Sequence, residues 1–371
     1  MDERRLKESF ARAAAYGDEV ALFFYSHLFL AHPEAREMFP VSMAVQRDRL
    51  LDALGRIVAE VSGHDTLVPF LQGLGRDHRK FGTLAEHYPA VGASLLATLA
   101  HFNGTEWNED LAREWTAAYT LIAQVMCEAA TEDETRNPSS WQATVVGHER
   151  RTMDIAVLRI APDAPLGYVP GQSVAVECEA RPRLWRYYSM ANAPRYDGTI
   201  DLHVRVIDGG SVSTALARSV SVGSRLRLGP PVGTLQLDLN SRRDVVLAAG
   251  STGLAPLKAI IEHAADLGDP PRMHLVFGAR TAADLYDLAD LEKMTAQWPW
   301  LTVTPAVSAE RDYRGETGTV ADIVGRRVPL TDRDAYICGS SPMVAATVNR
   351  LQALGVPPGH IHVEDFGWSE S

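Results

Sequence analysis

The hydrophobic period changes twice along the chain, and no single layer of secondary structure accommodates all three patterns. From Glu8 to about Glu132, apolar residues recur every three or four positions with few β-branched clusters, the pattern of packed amphipathic helices. The polar stretch TEDETRNPSSW near Thr131 then reads as a linker. Between Trp141 and about Leu239, the runs ATVVGHE, DIAVLRIA, SVAVECE, IDLHVRVI and RLRLG alternate with Pro, Gly and Asp turns, which predicts a β-rich domain. From Arg243 onward, buried-strand runs (DVVLAAG, MHLVFGA, LTVTPAVS, DAYICG) alternate with helical stretches, the texture of a parallel α/β sheet. A chain of 371 residues exceeds the size at which one core stops growing. Three domains are expected: an all-α domain at 1–135, a β domain at 136–238 and an α/β domain at 239–371.

Charge narrows the partners. The chain carries 36 basic and 47 acidic residues, so its field has the wrong sign for phosphate backbones and anionic membranes, and nucleic acid is set aside. Cys127, Cys178 and Cys338 are far apart and odd in number, which suits a reducing compartment and a cytoplasmic location. The opening MDERRLKESFARAAA has no apolar core of a signal peptide, and no later apolar run approaches the ~20 residues of a membrane span.

Several motifs carry chemistry. In VVLAAGSTGLAPLKAIIEHA, a strand leads through Gly250, Ser251, Thr252 and Gly253 into a helix. Small residues there admit a pyrophosphate to the helix N-terminus, although a tight α/β turn has the same composition. AYICGSSPMVAATVNRL repeats the geometry at Cys338-Gly339, and two such loops at strand ends flank one crevice. In the β-rich region, Arg186-Tyr187-Tyr188-Ser189 offers a cation, aromatic faces and a hydroxyl, while Gly209-Gly210-Ser211-Val212-Ser213-Thr214 offers N–H and hydroxyl donors.

The ordered set Arg-x-Tyr-Ser, Gly-Gly-x-Val-Ser, Gly-x-Thr-Gly-x-x-Pro, Cys-Gly and Glu-x-Phe-Gly resembles the ferredoxin-reductase family from about Trp141 to Trp368. The resemblance implies an antiparallel β-barrel that binds FAD, followed by a parallel-sheet NAD(P) domain. It implies that Arg186, Tyr188 and Ser189, with Tyr187 between them, hold the FAD pyrophosphate, isoalloxazine and flavin edge. Tyr168, Pro170, Gly171 and Gln172 match the family's Y-x-P-G-Q strand, and Gly210, Val212 and Ser213 its second pyrophosphate loop. Gly250, Thr252, Gly253 and Pro256 match the nicotinamide dinucleotide loop, and Cys338 and Gly339 the hydride-transfer edge. Phe366, in Glu364-Asp365-Phe366-Gly367, is the aromatic that covers the flavin. Arg280 in FGART is a candidate for a 2′-phosphate, but more often such a residue is an ordinary surface Arg, so NADH and NADPH both remain open.

The helical region has its own polar interruptions. Tyr25 shares a stripe with Ala21, Phe24 and Leu28; Gln46 with Met43, Leu50, Leu54, Ile57 and Val61; His78 with Phe70, Leu71, Leu74 and Phe81. Each alone is more often a core residue with backbone partners, but together they suit a haem pocket. With FFYSHLFLAHPEAREMF, QRDRLLDAL, DHRKFGTLAEHYPAVGASLLATL and EWTAAY, the region resembles the globin domain of flavohaemoglobins. The resemblance implies that His78 is the proximal ligand of a b-type haem iron, rather than His87, which lies outside the stripe. Tyr25 and Gln46 would stabilise a distal ligand, Phe39 wedge the porphyrin, Leu50 shape ligand access, and Tyr88 hydrogen-bond on the proximal side. The chain departs from the family twice: Ala130 stands where a proximal Glu is usual, leaving Glu128 or Glu132 as substitutes, and Asp77 stands where Lys is common.

The implied activity is NAD(P)H-dependent nitric oxide dioxygenation, with electrons passing through FAD to haem and with oxygen and nitric oxide as small-molecule partners in a monomer or weak dimer. Alternatives are a divergent flavohaemoglobin reductase serving another acceptor or an organic substrate, and a haem-based oxygen or nitric oxide sensor kept ferrous by its reductase.

Overall fold

The computed structural model describes residues 2–61 and 63–364, so the position expected for Phe366 lies outside the described residues. The chain forms two compact units, one mainly helical that takes in the chain to Ser140 and Pro182–Leu184, the other Trp141–Arg181 and the described residues from Trp185.

The helical unit comprises α1 (Glu3–Ala14), α2 (Asp18–Ala31), α3 (Ala44–Ala59), α4 (His64–His78), α5 (Tyr88–Asn103) and α6 (Glu109–Glu134). Capping starts two of them: Asp2 accepts from Arg5 N–H at 3.2 Å, and Asn108 from Leu111 N–H at 3.0 Å. The first helix therefore begins before the apolar periodicity becomes visible at Glu8. The polar stretch read as a linker is helical through Glu134, where Glu132 pairs with Arg136 one turn on. Helix α4 crosses α6 closely at Gly75, where a Cβ would lie 2.2 Å from the Met126 carbonyl oxygen. This crossing fixes His78, one turn later. Apolar burial divides into two clusters, Phe24, Leu28, Leu95 and Trp115 in one and Ile57, Phe70, Leu71 and Met126 in the other.

The second unit holds two sheets. Strands β1 (Trp141–Arg150), β2 (Ile155–Pro162), β3 (Ser173–Cys178), β4 (Arg186–Ser189), β5 (Ile200–Arg205) and β6 (Arg225–Val232) pair antiparallel in the order β4-β3-β6-β1-β2-β5. A bridge between Met190 and Leu202 brings the two edges together into a nearly closed barrel, with α7 (Ser211–Arg218) after β5. Closure leaves little free edge. Strands β7 (Asp244–Gly250), β8 (Met273–Ala279), β9 (Leu301–Val307), β10 (Glu316–Thr317), β11 (Arg333–Cys338) and β12 (Ile361–Val363) form a parallel sheet ordered β10-β9-β8-β7-β11-β12. Helices α8 (Leu254–Ala265), α9 (Leu288–Gln297), α10 (Val320–Arg327) and α11 (Ser341–Ala353) cover it. Its strands are buried on both faces: Val245, Leu247 and Ala249 pack with Leu257 and Ile260 of α8, and Val246 and Ala248 with Ile323 and Val324 of α10.

Barrel and parallel sheet share a core, because Ile155 and Leu235 pack with Leu254 and Ile260. Charge reinforces the joint. Asp287, fully buried before α9, lies 2.6 Å from Lys258 Nζ and 3.4 Å from an Arg151 nitrogen, and Arg151 follows barrel strand β1. His203 of β5 adds a 2.6 Å hydrogen bond with the Tyr286 hydroxyl. Without Asp287, Lys258 loses its 2.6 Å partner and is left with Asp290 at 4.0 Å, while Arg151 keeps Glu149 and Asp290, so Asp287→Ala is expected to cost roughly 3 kcal/mol in urea melts of the whole chain. A change below about 0.5 kcal/mol would show that the cluster is a solvated ion pair.

Candidate functional site

In the helical unit, Tyr25 is buried on α2 with its ring edge-on to Phe39 at 5.4 Å, and its hydroxyl donates to the Gln46 carbonyl at 3.4 Å. Burial pushes the phenol well above its ordinary pKa, with Gln46 and Arg49 opposing weakly, so Tyr25 keeps its proton as a hydrogen-bond donor. Gln46 and Leu50 lie one turn apart on α3, and both are half-buried, as is Phe39.

His78 ends α4. Its Nδ1 faces the Leu74 carbonyl at 2.8 Å, which leaves Nε2 as the nitrogen for a ligand bond. Burial lowers its pKa, Asp77 and the Leu74 carbonyl oppose that shift, and Lys80 adds to it, so the imidazole stays neutral, as a metal ligand must. Among the described residues no group of three His, Cys, Asp or Glu side chains converges on a metal position. A lone imidazole among apolar side chains suits a metal whose other ligands come from a macrocycle. Phe39, Met43, Leu50, Leu54, Leu74 and Tyr88 are only partly buried although packed on the two apolar clusters, which is the lining a flat apolar group needs. The residues present fit a haem.

The proximal departures resolve structurally. Glu128 is exposed and bonded to Gln124 at 2.8 Å, and Glu132 is exposed and paired with Arg136 at 3.1 Å, so neither replaces the expected carboxylate. Tyr88 opens α5, its carbonyl accepting from the Tyr119 hydroxyl at 2.6 Å. Burial, and then the neighbouring Cys127, raise the pKa of its phenol. Asp77 pairs with buried Lys80.

In the barrel, β4 pairs with β3 so that Arg186 faces Val176, Tyr187 Ala175, Tyr188 Val174 and Ser189 Ser173. Alternation puts Arg186 and Tyr188 on one face and Tyr187 and Ser189 on the other. Arg186 donates to the Trp185 carbonyl at 2.9 Å, which holds its guanidinium near the strand. The Tyr168 hydroxyl donates to the Asn192 carbonyl at 2.9 Å, and burial raises the phenol pKa of both Tyr168 and Tyr188. Gly210 caps α7, and the Ser213 hydroxyl is committed to that turn, donating to the Gly210 carbonyl at 3.1 Å. Val212 is buried, so its side chain packs and only its backbone can face a ligand.

In the parallel sheet, the loops after β7 and β11 meet. A Cβ on Gly253 would lie 2.3 Å from the Cys338 carbonyl oxygen, so only glycine permits this approach. Gly250, Thr252 and Gly339 remain half-buried at the opening, whereas Pro256 is buried in the first turn of α8. Ser251 adopts a left-handed φ of 52° and accepts from Arg205 at 3.2 Å, bringing a barrel cation to the dinucleotide loop. Sequence reasoning missed Arg205, which reads as an ordinary strand end.

It also assigned no role to Glu364, which joins the two sheets. Glu364 Oε1 lies 2.9 Å from both Ser173 Oγ and Ser189 Oγ, and Oε2 accepts from the Cys338 thiol at 2.7 Å. Burial raises its carboxyl pKa against those three bonds, and burial with Glu364 beside it holds Cys338 as a neutral thiol. Glu364 stood in the Glu-x-Phe-Gly motif, and Ser173 follows Gln172 of the Y-x-P-G-Q strand; their convergence had no sequence signal.

The fold and these sites define a helical haem-type domain joined to a two-domain flavin and nicotinamide oxidoreductase. Family models match accordingly: globin over residues 22–126, oxidoreductase FAD-binding domain over 142–237 and oxidoreductase NAD-binding domain over 246–349. A flavohemoprotein of Bordetella parapertussis is 28% identical over 383 residues, 95% of this chain and 94% of the relative. A ferredoxin–NAD(P)+ reductase component of a naphthalene dioxygenase/salicylate hydroxylase system from a Ralstonia species is 36% identical over 227 residues, 61% of this chain and 68% of the relative. The crystal structure of a flavohemoglobin from Malassezia yamatoensis superposes with a TM-score of 0.83 at 17% identity, covering 98% of this chain and 97% of that one. The chain belongs to the flavohaemoprotein family.

The raised Glu364 pKa sets a pH dependence. The folded state keeps a proton that the unfolded chain releases at the ordinary carboxylate pKa, so this stabilisation is complete at low pH and is lost as pH rises through the raised value. Melting curves between about pH 4 and 8 should therefore show Glu364→Gln gaining on the wild type as pH rises. Parallel curves would mean that Glu364 titrates normally.

Proposed function

We propose that this flavohaemoprotein is an NAD(P)H-dependent nitric oxide dioxygenase of the cytoplasm, its work divided among residues 1–135, 136–238 and 239–371 as globin, FAD and NAD(P) domains. Bound FAD would supply the conversion of two-electron hydride chemistry to one-electron chemistry, and bound haem the oxygen chemistry that turns nitric oxide into nitrate.

The chain's residues bind and orient these groups. Gly250, Thr252 and Gly253 admit the dinucleotide pyrophosphate at the start of α8, where the helix dipole favours it. Cys338 and Gly339 border the nicotinamide. Arg186 and the Gly210–Ser213 turn meet the FAD pyrophosphate, and Tyr188 covers the ring system. Ser189, which donates to Glu364 Oε1 beside Ser173, borders the flavin edge. In the globin domain, His78 Nε2 would hold the iron, Phe39 and Leu50 would shape the pocket, and the Tyr25 hydroxyl, turning from the Gln46 carbonyl, would with Gln46 stabilise negative charge on a bound ligand. The observation that carries the reading is the protonated Tyr25 donor in the same helical unit as a neutral His78 with a free Nε2.

One observation favours a second reading. The imidazole partner is the neutral Leu74 carbonyl, and a carbonyl raises ligand basicity less than a carboxylate would. That suits a divergent reductase serving another acceptor or substrate, or an oxygen-binding sensor kept ferrous. Nitric oxide consumption driven by NADH or NADPH separates the readings: rapid consumption supports the dioxygenase, and its absence despite normal flavin and haem reduction supports the second.

Losing one hydrogen bond to a charged ligand costs enough to slow turnover roughly tenfold. Tyr25→Phe should therefore release oxygen faster and consume nitric oxide about tenfold more slowly, with FAD reduction unchanged in stopped flow. Wild-type rates in this variant would remove Tyr25 from the mechanism.

A further inference from the structure

The choice between NADH and NADPH is made where the nucleotide's adenosine ribose leaves the dinucleotide loop. We propose that this crevice selects NADH, with Glu310 and Asp284 disfavouring the 2′-phosphate of NADPH; the inference rests on the reading of NAD(P)H as hydride donor. In parallel sheets the adenosine ribose lies at the carboxyl end of the strand beside the dinucleotide loop, where a carboxylate suits a 2′-hydroxyl and a cation suits a 2′-phosphate. Here that strand is β8, paired with β7 so that Gly278 stands opposite Gly250.

Past their strands, β8 and β9 run on together: Ser308 N–H donates to the Ala279 carbonyl at 3.1 Å and Ala309 N–H to the Arg280 carbonyl at 2.9 Å. This pairing folds Glu310 back over the exit of β8, where its Oε2 accepts from Ala282 N–H at 2.8 Å. The preceding amide, that of Thr281, donates to Asp284 Oδ2 at 3.1 Å, and the Thr281 hydroxyl donates to the same oxygen at 2.8 Å. Both amides that a phosphate would seek are thus held by carboxylates. A 2′-phosphate placed there meets two fixed negative charges, whereas a 2′-hydroxyl can donate to Glu310 Oε1.

The rival cations are placed less well. Along β8, Phe277 and Ala279 face the α8 side, while Val276 and Gly278 face α10, where a Cβ on Gly278 would lie 2.2 Å from Val320. Arg280 is exposed just past the last residue of β8. Arg311 and Arg314 are exposed beyond Glu310, with exposed Asp312 between them.

The test uses the full-length holoprotein. Stopped-flow flavin reduction by NADH and by NADPH gives the preference, and calorimetry with AMP and adenosine 2′,5′-bisphosphate reads the ribose site without chemistry. Like-charge repulsion predicts roughly tenfold or greater preference for NADH, with AMP bound more tightly than its 2′-phosphorylated form. Glu310→Gln and Asp284→Asn should each narrow both ratios, and Glu310→Arg should reverse the preference. Equal or better use of NADPH by the wild type, or unchanged ratios in both neutral variants, would overturn the inference. If neither nucleotide reduces the flavin and AMP does not bind, the hydride-donor reading fails and this one with it. AMP binding that ignores the 2′-phosphate sinks only the selectivity.

Discussion

The arrangement of the second unit depends on the desolvated joint between the barrel and the parallel sheet. Ile155 and Leu235 of the barrel module complete the core under α8, and buried Asp287 takes cations from both sides of the joint. An unpaired carboxylate there would cost more than the packing returns, so the Lys258 and Arg151 contacts are a condition of closing the joint. Only with it closed do Ser173 and Ser189, on neighbouring barrel strands, meet Cys338 at the end of β11 through Glu364. A carboxyl in that position has water partly stripped from it, and its raised pKa follows from the same burial that holds the sheets together.

The helical unit solves a different problem, holding a lone imidazole in one orientation. The near contact of Gly75 with the Met126 backbone seats α4 on α6, and the Leu74 carbonyl then fixes the ring through Nδ1. Under the proposed haem reading, the partner of the His78 imidazole would be the neutral Leu74 carbonyl, and the stabilisation of a negatively charged ligand would fall more to Tyr25.

Much of this was legible from residue order. The two switches in hydrophobic period reflect the different burial of helices, barrel strands and doubly covered parallel strands, and the structure follows them closely. Short or weakly patterned elements were not legible: β10 has two residues, β12 three, and α10 is an eight-residue helix recognisable mainly by its Thr319–Asp322 cap. The extension of α6 through Glu134 was hidden because its last turn is held by charge pairs rather than by an apolar stripe. The motif residues Tyr25, His78, Arg186, Ser189, Gly250 and Cys338 stood out because each sets an unusual residue type in a regular context. Arg205 and Glu310 did not, since an exposed Arg on a strand and a Glu in a loop are ordinary until their partners are known.

By itself, the sequence determined the three textures, their order, the inward polar residues of the helical region and the ordered glycine and hydroxyl motifs of the rest. Period and composition are local properties, readable along a chain. The tertiary structure alone decided that Glu364 binds groups from both sheets and that Glu310 occupies the Ala282 amide beside the dinucleotide loop. Those outcomes depend on contacts between residues far apart in sequence, and no local pattern encodes which carboxylate a buried donor will reach.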